Sequence, residues 1–144
     1  MPTWRSFLLM LTASDAARLG WRAVLAALAV VIGYLALTPL PPPAADLGWD
    51  KLNHACAFAA LAAAAWLSVR SPRRRAPALL AVLAYGAMIE LAQTQVPGRS
   101  GEWGDLLADA VGIGVGAWLA AGVLAAAGGD LMRRVRSRAR PGSD

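Results

Sequence analysis

Between Arg22 and Leu40 the chain reads RAVLAALAVVIGYLALTPL, with no charge after its first residue. Hydrocarbon offers the backbone no hydrogen-bond partners, so an apolar run of this length that enters a bilayer must close its own bonds as a helix. About 20 residues cross the roughly 30 Å hydrocarbon core. This run is long enough, and the PLPPP beginning at Pro39 prevents the helix from continuing.

Three further apolar blocks follow, at 51–69, 77–96 and 104–127, and the first spans 22–38. Ser71-Pro72-Arg73, Pro97-Gly98-Arg99 and Gly128-Gly129 punctuate their ends. Charged residues make up only 16% of the chain, where soluble domains have about a quarter. The apolar residues also lie in blocks, whereas helices of a soluble bundle would show a polar face every turn. The expectation is an all-α fold in one domain over 1–144: an integral membrane four-helix bundle with short connections. The lone Cys56 excludes an intramolecular disulfide.

Cytoplasmic loops carry the excess of Lys and Arg. Arg5, Arg18 and Arg22, then Arg70, Arg73, Arg74 and Arg75, then Arg133, Arg134, Arg136, Arg138 and Arg140 fall on one side of these spans. The other side holds only Lys51 and Arg99. Both termini are therefore expected in the cytoplasm of a bacterial cell, with the loops at 41–50 and 97–103 outside the inner membrane. Trp49 and Trp103 would mark the outer boundary, and Trp21 and Trp66 the inner one. The basic tail at 130–144 reads as a topology and anionic-lipid anchor rather than a nucleic-acid patch, so no nucleic-acid partner is expected. Residues 3–18, with Trp4, Phe7, Leu8 and Leu11, read as an interfacial helix; a cleaved signal would reverse the charge rule.

Six of the nine acids lie toward the outer side. His54, Glu90 and Asp109 each fall roughly 5 to 8 Å below the outer end of their own helix, counted at 1.5 Å per residue. Residues three or four apart share a helix face. This puts Asp50, His54 and Phe58 on one line, Glu90 and Gln93 on another, and Asp105, Asp109, Gly112 and Gly116 on a third. Gly112 and Gly116 form a small-xxx-small track for close helix approach below the polar layer. Ionisable groups inside a span cost on the order of 2.5 to 3.5 kcal/mol at the helix centre, so they turn toward the bundle interior or a watery cavity.

His54, Glu90, Asp105 and Asp109 are the candidates for acid, base or proton handling. Asp50, Lys51, Gln93, Arg99 and Ser100 are the candidate contacts to a substrate, with Arg99 and Lys51 suited to an anionic head group. His, Asp and Glu together suit a divalent cation, but one histidine and no fixed ligand motif make this weak, so no metal or other cofactor is expected.

At these residues the chain resembles the VanZ-like family of small bacterial integral membrane proteins. The resemblance rests on DKLNHACAF (Asp50 to Phe58), YGAMIELAQ (Tyr85 to Gln93), PGRSGEWGD (Pro97 to Asp105) and DLLADAVGIGVG (Asp105 to Gly116). Their order and spacing are similar to the family's D-K-x-x-H-x-x-x-F, Y-x4-E-x2-Q, G-R and D-x3-N-x2-G-x3-G pattern. The chain departs from it at Asp109, where the family usually has Asn. The family is named for an accessory protein of teicoplanin resistance, so the resemblance implies an envelope role bearing on glycopeptide susceptibility, without implying that the antibiotic itself is handled.

The leading expectation is an outer-leaflet polar pocket that binds, and in the enzymatic version modifies, an anionic or polyprenyl-linked lipid of the cell envelope. A proton-coupled transporter or flippase and a non-catalytic scaffold for envelope enzymes stand as alternatives. A bundle this small leaves room for a homodimer.

Overall fold

The structure, a computed structural model, describes residues 14–39 and 49–138, and for 129–138 the helical backbone alone. Within them lie four α-helices and no strand: α1 Asp15–Leu37, α2 Asp50–Ser68, α3 Arg75–Gln93 and α4 Trp103–Arg138, with a 3-10 turn at Pro72–Arg74 before α3. The all-helical fold expected from the apolar blocks is the one found. Most of the interfacial segment assigned to 3–18, and the side chains of the basic tail, lie outside the described residues.

Helix α1 begins at Asp15 rather than Arg22 and so absorbs the end of that interfacial segment. Ser14 caps it, its Oγ accepting the Ala17 N–H at 3.0 Å, and Asp15 lies in the first turn, where a negative charge complements the helix dipole. Its C-cap, Thr38, is extended at ψ 125°, as the residue before a proline prefers to be. Helix α3 starts at Arg75, with Pro77 in its first turn, where the missing N–H costs nothing. It stops at Gln93 instead of 96. Helix α4 differs most, since it continues through Gly128 and Gly129, which were expected to end it. Glycine inside a helix costs about 1 kcal/mol relative to alanine but ends it only when it adopts the left-handed cap. The following DLMRRVRSR is rich in good helix formers.

Among the described residues, three helical stretches are long and apolar enough to cross a membrane: Asp15–Leu37, Pro72–Gln93 and Trp103–Gly128. Helix α2 is not among them. Asp50, Lys51, Asn53 and His54 crowd its first turns, and the helix packs against all three others. Phe58, Leu61, Ala62, Ala64, Ala65, Leu67 and Ser68 are buried there, whereas α1 buries no residue and exposes Leu19, Val24, Val30 and Val31. A helix enclosed by helices has little need of lipid-grade hydropathy. Helices α2 and α4 form the most intimate pair. A Cβ on Gly112 would strike the Ala55 backbone, and one on Gly116 the Ala59 backbone. That is the close approach a small-xxx-small track permits, gained through van der Waals packing.

Candidate functional site

The N-terminal ends of α2 and α4 meet the C-terminal ends of α1 and α3 at one end of the bundle, and the polar residues gather there in two groups. In the inner group, His54 Nδ1 and Asp109 Oδ1 share a hydrogen bond at 2.9 Å, and Glu90 Oε1 lies 3.8 Å from the same nitrogen. Asp109 is fully buried, and Glu90 is 9% exposed. Glu90 Oε2 accepts the Glu102 backbone N–H at 2.8 Å. Glu102 immediately precedes α4, so this carboxylate sits where the orphan amides and the dipole of α4 favour a negative charge. Among the described residues, Glu90 Oε1 and Asp109 Oδ2 have no hydrogen-bond partner.

Packing fixes the geometry of the inner group. The His54 ring stacks on Phe58, one turn along α2, with centroids 6.4 Å apart, and Phe58 in turn meets Tyr85. Gly86 on α3 leaves the space that Asp109 Oδ2 occupies, and a Cβ there would collide with that oxygen and crowd the Phe58 ring.

The second group lies nearer the surface. Lys51 Nζ bridges Glu102 Oε2 at 3.2 Å and Asp105 Oδ1 at 3.3 Å. Asp105 is buried and Glu102 exposed. Lys51 lies over Gly104, which has no side chain to displace it. Asp50 is exposed, yet one of its carboxylate oxygens lies within 4.8 Å of ligand atoms of His54 and Asp105.

Gln93 and Arg99 go elsewhere. Gln93 Nε2 donates to the Ala36 carbonyl at 3.1 Å. Arg99 donates from Nε and Nη2 to the Thr38 carbonyl at 3.2 and 3.1 Å, and from Nη2 to Leu35 at 3.2 Å. These are carbonyls at the C-terminal end of α1, where the last turn has no following N–H groups in α-helical register to satisfy it. The turn that aims Arg99 is built by Pro97 and by Gly98 at φ 81°, with the Arg99 N–H returned to Val96 at 3.1 Å, the pattern of a type II turn. Tyr85 extends the clamp, its hydroxyl donating to the Ala29 carbonyl and lying where a Cβ on Gly33 would go. Ser100 is exposed in the loop.

Sequence reasoning did not include Glu102 or Tyr85 among the site residues. Tyr85 opens the YGAMIELAQ segment and Glu102 lies within PGRSGEWGD, so both stood in the segments that carry the family resemblance without being assigned a role.

The VanZ/LLP1 family model matches residues 18–125 of the 144. The chain belongs to the VanZ/LLP1 family. The matched region holds all four helices in part or whole and every residue of both polar groups. No curated protein and no solved structure matches the chain. Family and helices together make it a VanZ-like membrane protein.

A groove of about 250 Å³ opens between α3 and α4 beside the inner group. Ala87, Leu91, Trp103 and Leu106 give it apolar walls, and Glu90 and Glu102 stand at its polar side. Trp103 is 85% exposed at its rim.

Proposed function

We propose that this VanZ/LLP1 protein spans the bacterial inner membrane four times with both termini in the cytoplasm, and that its polar end binds the head group of an anionic or polyprenyl-linked envelope lipid from the outer leaflet. One observation carries the reading. The groove between α3 and α4 is amphipathic in the sense a lipid requires, with apolar walls leading to titratable groups on its polar side. Pockets of this kind, mostly apolar with a few convergent polar groups, are the usual form of a small-ligand site.

Lys51 would meet the head-group phosphate, while His54, Glu90, Asp105 and Asp109 handle protons behind it. Arg99 and Gln93 would position the site by fixing the end of α1. The arginine distribution supports the orientation, and the exposed Trp49 and Trp103 fit a bilayer boundary at the polar end.

Mass spectrometry of lipids that co-purify with the detergent-extracted protein tests the reading, comparing wild type with Ala87→Phe. Ala87 is exposed, so a phenyl group fills the groove without disturbing the core. A distinct phosphate-bearing lipid retained by wild type and lost from Ala87→Phe supports it. Identical bulk lipid in both would end it. If the lipid is found, turnover abolished by Glu90→Gln assigns chemistry on the head group, and transfer of unaltered lipid between leaflets assigns transport.

A further inference from the structure

The inner group contains more acid than its neighbours neutralise. Among the described residues, His54 is the one basic side chain paired with Glu90 and Asp109, Lys51 pairs with Glu102 and Asp105, and Arg99 is turned toward α1. Buried charges persist when they are paired or when they coordinate a metal. Glu90 Oε1 is buried, has no hydrogen-bond partner among the described residues, and faces the His54–Asp109 pair at 3.8 Å from His54 Nδ1.

We propose that His54, Glu90 and Asp109 bind a divalent first-row cation of the Zn2+ or Mn2+ type. One ligand atom from each lies within 4.8 Å of the others. Around a tetrahedral ion with bonds near 2.1 Å, ligand atoms lie roughly 3.4 Å apart. The 2.9 Å from His54 Nδ1 to Asp109 and the 3.8 Å to Glu90 bracket that spacing, so small side-chain movements accommodate the ion.

The donor set fits this class. Imidazole favours zinc and its neighbours, carboxylates favour manganese and harder ions, and one imidazole with two carboxylates lies between them. The ion takes the Nδ1 lone pair of a neutral imidazole whose proton sits on Nε2, so an imidazolium gives up its Nδ1 proton to solvent on binding. Glu90 is held for the task by its bond to the Glu102 amide, and Phe58 holds the imidazole plane. A second grouping, Asp50 with His54 and Asp105, is less suited because Asp105 already pairs with Lys51 and Asp50 is exposed. The cation site stands on these three ligands. Its use to attract a lipid phosphate rests on the reading above.

His54 is the chain's only histidine, which makes the test direct. Full-length protein carrying no polyhistidine tag is stripped with chelator in detergent and titrated with Zn2+ by calorimetry and with Mn2+ by electron paramagnetic resonance, with no lipid added. One equivalent should bind, with a nitrogen coupling that changes when histidine alone is labelled with 15N. Asp109→Asn and Glu90→Gln, each isosteric and still able to accept its present hydrogen bond, should weaken binding at least tenfold while the helical melt is kept. Absence of stoichiometric binding of either ion, a bound ion without the histidine coupling, or equal affinity in folded variants overturns the proposal. Lipid retention plays no part in the readout, so the cation site and the lipid site fail separately.

Discussion

Replacing Arg99 separates two roles that one arginine could hold. The Thr38 carbonyl receives two of the three guanidinium contacts, and Leu35 keeps a second donor in the Thr38 N–H at 3.4 Å. Arg99→Ala therefore orphans one carbonyl and weakens another. A hydrogen bond to a charged group contributes about 1.5 to 3 kcal/mol. Arg99 is only half-buried and water can reach the vacated space, so the expected loss is about 2 kcal/mol. At roughly 2 to 4 °C per kcal/mol, the melting midpoint followed by circular dichroism in detergent should fall about 4 to 8 °C. Arg99→Gln keeps an amide donor for the carbonyls and should recover part of the loss. A head-group role predicts the reverse: wild-type melting in Arg99→Ala, lipid lost, and no recovery with glutamine. Wild-type melting in the alanine variant would refute the assignment of Arg99 to the end of α1.

Gly112→Leu should force α4 away from Ala55 and destabilise the bundle by about 1 to 3 kcal/mol or more, the range for overpacking. Gly114→Leu, two residues along and facing open space, should melt with wild type; equal losses in both would show that close approach is not the cause. Gly33→Ala should be destabilising in wild type, because its Cβ meets the Tyr85 hydroxyl, and tolerated in Tyr85→Phe. A double-mutant cycle on thermal stability measures that coupling, and additivity would dismiss it.

Much of the bundle was legible because bilayer physics writes long signals. The block at 22–38 ends beside a proline, and α1 ends at Leu37. The 3.6-residue period placed Gly112 and Gly116 on the line of Asp109, and their contact with α2 follows from having no side chain. Depth counting brought His54, Glu90 and Asp109 together. What could not be read was which partner each polar side chain would choose. Arg99 and Glu90 both lie near the loop at 97–103, and their sequence positions are equally consistent with pairing to each other. The Gly98 turn instead directs the guanidinium to α1, and the start of α4 claims the carboxylate. The run of α4 past Gly128 was hidden for a similar reason, since glycine permits a helix end without dictating one.

The two polar groups are joined through Glu102. Its side chain pairs with Lys51 near the surface, and its backbone N–H holds Glu90 in the inner group. On the readings proposed above, a phosphate drawn to Lys51 competes with the Glu102 carboxylate, while a cation in the inner group takes Glu90, the carboxylate that the Glu102 amide holds in place. Both events bear on one residue, Glu102, just before α4, ahead of the point where Gly112 and Gly116 bring that helix against α2. Coupling between sites requires an element that both can bias. On these two proposals, the start of α4 rather than the glycine track beneath it is the element that both sites would bias.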